Sequence, residues 1–124
     1  MSRVNFNIGG VVIESEFRDT PTARKIIDAL PIQSSGSYWG NEFYFDVPVV
    51  AAPEPDATDV VDPGTVAYWT AGHCLCLFWG PTPASRGDEC RAASEVNLVG
   101  EVINKEDLKK LKTQKVTVEL VDQG

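Results

Sequence analysis

Residues 4 to 17 constrain the fold most tightly. Val4, Phe6 and Ile8 alternate with Asn5 and Asn7; after Gly9-Gly10, Val11, Ile13 and Phe17 alternate with Val12, Glu14 and Glu16. Apolar residues at every second position mark a strand with one buried face, and a Gly-Gly pair accepts the positive φ angles of a two-residue hairpin turn. Such a turn sets Ile8 opposite Val11 and Phe6 opposite Ile13, so both strands turn their apolar residues to one side. The chain opens as half of a β core.

Beyond this hairpin, one helix stands among further short strands. Thr20 can cap a helix that has Pro21 at its first position, where a missing amide proton costs nothing. Ala23, Ile26, Ile27 and Leu30 recur at helical spacing until Pro31 stops the run,. The polar stretch Gln33 to Ser37 reads as a loop, and Tyr38 to Val50, aromatic and β-branched, as a strand. Ala51 to Gly64 contains Pro53, Pro55 and Pro63 with Glu54, Asp56, Asp59 and Asp62. It lacks the order of a calcium loop and reads as a solvated one. Strands are expected at Thr65 to Trp69 and Cys74 to Trp79 around a Thr70–His73 turn. After an irregular stretch from Gly80 to Ser94, another strand is expected at Val96 to Ile103. Asn104 and Asp107 start a short helix carrying Leu108 and Leu111, and Val116, Val118 and Leu120 alternate in a last strand. About seven or eight short strands, mostly adjacent in sequence, favour a closed barrel, because closure removes exposed edges.

The chain of 124 residues fits a single domain, 1–124,. A net charge of −7 argues against a nucleic-acid partner, since neutralising phosphates takes clustered Lys and Arg. No apolar run approaches the roughly 20 residues that span a bilayer, and no basic-then-apolar leader precedes the first strand. A soluble cytoplasmic protein is expected, with no membrane partner. Cys74, Cys76 and Cys90 are odd in number, lack a disulfide-framework spacing and read as free thiols,.

Several segments resemble cyclophilins in order. Thr20-Pro21-Thr22-Ala23, Ala29-Leu30 and the run Gly36 to Pro48 are similar to the cyclophilin sequence P-x-T-A, A-L, G-Y-x-G-x-x-F-H-R-V-I-P. Gly64 to Trp69 with Ala71-Gly72, Leu75 to Thr82, and Val96 to Val102 resemble the later segments. Tyr38 to Phe45, Ala67 to Gly72 and Leu77 to Pro83 resemble a group of compact prokaryotic cyclophilin-like proteins more closely. The resemblance implies a mainly β fold: a closed eight-stranded cyclophilin-like barrel with one capping helix and one short C-terminal helix. It also implies that Phe45 stands where the isomerase arginine would be and that Val96 replaces a groove histidine. An arginine there helps weaken the amide conjugation behind the roughly 18–20 kcal/mol rotation barrier. Phe45 has no donor to offer.

On one strand from Tyr38 to Val47, Trp39, Phe43, Phe45 and Val47 share a face, and Tyr38, Glu42, Tyr44 and Asp46 the other. By analogy with the arginine, Phe45 and Val47 would line an apolar groove with Trp69, Leu77 and Trp79; the alternative is that these aromatics are core. Tyr38 and Glu42 complete the candidate ligand-binding set. Inward-pointing Glu42 and Asp46 would have raised pKa values suited to proton transfer, whereas outward-pointing ones are ordinary solvated charges. His73, Cys74 and Cys76 with Cys90 are soft ligands of the kind that hold zinc, but the spacing is not that of a knuckle, and apolar strand cysteines are usually core. Neither a metal nor a cofactor is expected, and no catalytic residue is assigned. Ser85 lacks a nearby base, and its prolines read as the rim of a groove.

The sequence therefore supports a binding module whose groove takes a small molecule or a short apolar peptide, without prolyl isomerase activity. The alternatives are a weak prolyl isomerase and a non-catalytic subunit of a larger enzyme. The oligomeric state is left open.

Overall fold

The computed structural model describes residues 2–123, and among these lie nine strands and two helices. In chain order they are β1 (Ser2–Ile8), β2 (Val11–Phe17), α1 (Pro21–Ala29), β3 (Ile32–Tyr38), β4 (Glu42–Asp46), β5 (Thr58–Val61), β6 (Thr65–Trp69), β7 (Cys74–Phe78), β8 (Cys90–Val102), a 3₁₀ helix (Lys105–Lys110) and β9 (Lys115–Gln123). Eight strands form an antiparallel ring in the order β2-β1-β9-β3-β4-β7-β6-β8. Pairing of Ser15–Phe17 with Gly100–Val102 closes it. β5 lies outside the ring as an extra strand on β8.

The opening hairpin has the expected register, with Ile8 opposite Val11 and Phe6 opposite Ile13. Gly9 and Gly10 take φ of 60° and 90°, values that favour glycine in a primed turn. In α1 the Thr20 hydroxyl accepts from the Ala23 amide at 3.2 Å. Ala23 and Ile26 are fully buried, in the same cluster as Phe6, Phe17, Phe43, Phe45, Leu75 and Leu77. Leu108 of the second helix and Leu111 just after it join that cluster. It fills the inside of the ring.

Four boundaries differ from the sequence reading. Residues 33–37 lie in β3, not in a loop. Hydrogen bonding to β4 and β9 on both sides holds this strand, so its polar side chains carry little of the decision. The expected strand from Tyr38 to Val50 is cut down to β4, because Gly40 turns the backbone at φ 62°. A Cβ there would stand 2.8 Å from Thr82 Cα. The alternation therefore changes phase across the turn: Tyr38 packs on Phe43, with ring centroids 5.0 Å apart. The acidic proline-rich stretch contains β5, and β8 begins at Cys90 rather than Val96; the two pair with each other. Asn104 makes no side-chain cap bond to its helix. Instead its Oδ1 accepts from the Glu14 amide and its Nδ2 donates to the Val12 carbonyl, tying the helix to β2.

The loop after β4 is not freely solvated. Glu54 Oε2 accepts from the Thr22 amide at 2.9 Å, a carboxylate at the positive end of α1. Fully buried Asn97 on β8 donates to Thr22 Oγ1 and to the Ala52 carbonyl, and accepts from the Glu54 amide. Asn97→Ala strands several buried polar groups at once and is expected to cost about 2–4 kcal/mol in urea unfolding. A cost below about 1 kcal/mol would mean that these bonds do not hold the loop.

Candidate functional site

The outer face of β4, β7, β6 and β8 carries a second apolar cluster. Ala67, Cys74, Cys76, Phe78, Cys90, Ala92 and Val96 are buried in it with Val61 of β5, and Tyr44 and Trp69 pack against it. β5 and the first half of β8 thus form a partial second layer over this face. Beside that layer lies a cavity of about 210 Å³ lined by Trp39, Glu42, Tyr44, Trp69, Cys76, Ala92 and Ala93.

Each wall has a local cause. Glu42 and Tyr44 lie two apart on β4 and so face the same way, and Tyr44 is opposite Cys76 across the β4–β7 ladder. The Gly40 turn swings Trp39 round to them, with its amide donating to the Glu42 carbonyl at 2.9 Å. The Trp69 ring lies against Gly72, and its indole Nε1 donates to Ser94 Oγ at 2.6 Å. That anchor fixes the ring as a wall. Trp39, Tyr44 and Trp69 are half-buried and Ala93 is exposed, which puts them at the cavity mouth.

Glu42 is the exceptional group. Its side chain points away from the ring interior, yet the residue is 5% exposed, so it is neither the inward acid nor the solvated charge expected from alternation. Its Oε1 is buried with no hydrogen-bond partner among the described residues. Burial pushes its carboxyl up to about 7, with an interaction with the Cys76 thiol pulling part of the way back. Asp46, four residues on, is exposed and accepts a 3.2 Å hydrogen bond from the Cys74 thiol.

The sequence-derived ligand set is divided between two places. Glu42 and Trp69 meet at the cavity. Phe45 (1% exposed), Val47 and Leu77 fill the ring interior, so the face expected to line a groove is core. The reason is that β4 turns only apolar residues inward while the partial second layer shelters its outer face. Tyr38 and Trp79 pack edge to face on each other, centroids 6.4 Å apart, against that interior, and the Tyr38 hydroxyl donates to the Thr113 carbonyl. Sequence reasoning missed Trp39, Tyr44, Cys76, Ala92 and Ala93 as cavity walls. Period-2 alternation from Glu42 points to Tyr44; nothing local reveals the others.

The remaining candidates have structural partners. Cys74, Cys76 and Cys90 are free and buried. Burial, then the Asp46 and Glu42 carboxylates, push Cys74 up to about 12, and Cys76 stands well above its ordinary value for burial and Glu42. These are thiols, not thiolates, at neutral pH. Among the described residues no group of three His, Cys, Asp or Glu side chains is placed to hold a metal ion. Ser85 Oγ donates to the Glu89 carbonyl and accepts from the Thr82 amide, tying its loop. Arg91 is held by Asp59 at 2.8 Å and Glu89 at 3.1 Å, and no arginine lines the cavity. No helix among the described residues is long and apolar enough to cross a membrane.

An eight-stranded antiparallel ring with an outer-face cavity defines the class. Residues 2–119 match the family described as cyclophilin-like, and the chain belongs to that family. It is similar to a hypothetical protein of Archaeoglobus fulgidus solved in solution, at 37% identity and a TM-score of 0.81 over 97% of this chain and 95% of that one. No curated protein matches the chain significantly.

Proposed function

We propose that the chain is a cyclophilin-like barrel that binds a small ligand in the outer-face cavity and does not catalyse prolyl isomerisation. One observation carries this: a concave aromatic surface formed by Trp39, Tyr44 and Trp69 around a buried carboxylate whose Oε1 lacks a partner. Apolar walls with a few polar groups aimed inward are the usual chemistry of a ligand site. An unpartnered buried carboxylate costs stability unless something else supplies its hydrogen bond. At about 210 Å³ the cavity is smaller than the roughly 300–1,000 Å³ typical of pockets for drug-sized ligands, which favours a compact molecule over an extended peptide.

Prolyl isomerisation is disfavoured because the lining offers no guanidinium to a prolyl nitrogen. A carboxylate accepts where that chemistry needs a donor. The test is a proline-peptide exchange assay run beside a thermal-shift screen of small metabolites. Exchange is expected at the uncatalysed rate, with at least one compound raising Tm in wild type and not in Trp69→Ala. Accelerated exchange that Trp69→Ala abolishes would overturn the assignment in favour of an isomerase.

A further inference from the structure

Three aromatic rings and one carboxylate around a small space are a recognisable combination. Trp39, Tyr44 and Trp69 surround the mouth, and Glu42 lies in the lining with an unmet acceptor. Aromatic faces carry negative quadrupole charge and attract cations, and a cation gains most where water is excluded. A carboxylate behind the rings supplies the opposite charge. No Lys, Arg or His lines the cavity, so no positive charge in the lining already answers it. The whole chain carries a net charge of −7, which draws cations and repels anions on approach.

The other ligand chemistries fit less well. An anion would meet Glu42. A neutral apolar ligand would leave Oε1 buried and unsatisfied, at a cost of about 1–3 kcal/mol. A hard metal ion needs several oxygen ligands, and among the lining residues only Glu42 and Tyr44 carry side-chain oxygens. An alkylated ammonium suits both halves of the site, since its carbons carry diffuse positive charge to the rings while its centre stays near the carboxylate.

We propose that the cavity receives a small organic ammonium ion, with its methyl or methylene groups against the Trp39, Tyr44 and Trp69 rings and its charge answered by the Glu42 carboxylate. This rests on the cavity being a ligand site. Trp69 is held before any ligand arrives, by Ser94 at one edge and Gly72 beneath, so little ordering is left to binding. Glu42 gains a counter-ion in place of its unmet acceptor.

The test compares choline with 3,3-dimethylbutan-1-ol, which has the same shape and no charge, by titration of the full chain with tryptophan fluorescence and calorimetry. Choline is expected to bind at least about 30-fold more tightly than the alcohol, from its contact with the rings and the Glu42 charge acting together. Glu42→Gln, which keeps the shape, is expected to erase most of that preference, and Trp69→Leu to weaken choline by about tenfold or more. A short peptide carrying trimethyllysine is the third arm. Competition with choline assigns the ammonium to a protein side chain and failure to compete assigns it to a free metabolite, and both support recognition of the charge. Equal binding of choline and the alcohol overturns the cation proposal and leaves an apolar ligand site standing. Binding of neither at millimolar concentration, with no compound in the thermal-shift screen protecting the protein, removes the ligand site itself.

Discussion

Phe45→Arg, which places the isomerase residue at the position the resemblance assigns to it, is expected to abolish folding rather than create activity. Phe45 is 1% exposed and packs edge to face on Phe6 at 6.2 Å and beside Phe43 at 5.8 Å. Removing a buried aromatic costs about 3–5 kcal/mol. Leaving an unpaired guanidinium in its place adds a desolvation penalty of several kcal/mol more. Against a typical total stability of about 5–15 kcal/mol, the two together remove most or all of what holds a small domain folded. Tyr44→Arg is the matched control. Tyr44 is half-buried on the outer face, where an arginine stem can lie along the apolar surface with its head in water. Near-ultraviolet circular dichroism and soluble yield should separate the pair, with Tyr44→Arg folded and Phe45→Arg not. A natively folded Phe45→Arg would place residue 45 outside the core and restore the expected groove.

The second large effect is in stability. Burial raises the Glu42 carboxyl from 4.5 to about 7. Below pH 4.5 the group is protonated in both folded and unfolded chains and costs nothing. Between 4.5 and 7 the unfolded chain releases the proton while the folded chain keeps it, so this group makes stability fall as pH rises, and the loss is complete above about 7. A tenfold change in proton affinity corresponds to about 1.4 kcal/mol, which puts the full loss at about 3 kcal/mol. Glu42→Gln removes the titration and is expected to be more stable than wild type by about 2–3 kcal/mol at pH 8 and nearly equal to it at pH 4. Urea unfolding of both proteins at the two pH values measures it. A variant less stable than wild type at pH 8 would mean that Glu42 is ionised and well paired in the free protein.

A chain that keeps a carboxylate where it weakens the fold is spending stability on something other than folding. Binding sites are where such groups collect, because a ligand rather than the protein completes their hydrogen bonds. The same logic separates Glu42 from Glu54. Both are partly or wholly sheltered acids, but Glu54 is matched by the amide and hydroxyl of Thr22 at the start of α1 and strengthens the fold. Glu42 has the burial with only the Cys76 thiol beside it and Oε1 left without a partner.

The cysteines make the opposite point. H-C-x-C reads as reactive chemistry, yet the sulfurs pack against Ala67, Phe78 and Val96 in the outer-face cluster. There they serve as small apolar side chains.

Local sequence determined the elements whose signals are local. The Gly9-Gly10 hairpin, the Thr20 cap with Pro21, the strands β6 and β7, and the inward Val116 and Val118 of β9 are consequences of steric limits and residue preference within a few positions, and they hold in the structure, although Leu120, expected to continue that alternation, is exposed. The order of segments was enough to expect cyclophilin-like kinship. What tertiary structure decided was which face is inside. Alternation separates the Phe43–Phe45 side of β4 from the Glu42–Tyr44 side but is blind to which one a neighbouring layer covers. Here ring closure through β2 and β8 buries the first, and β5 with the start of β8 shelters much of the second. The phase change at Gly40 and the seat of Trp69 on Gly72 then assemble Trp39, Glu42 and Trp69 from separate segments, through contacts that exist only once the ring has closed.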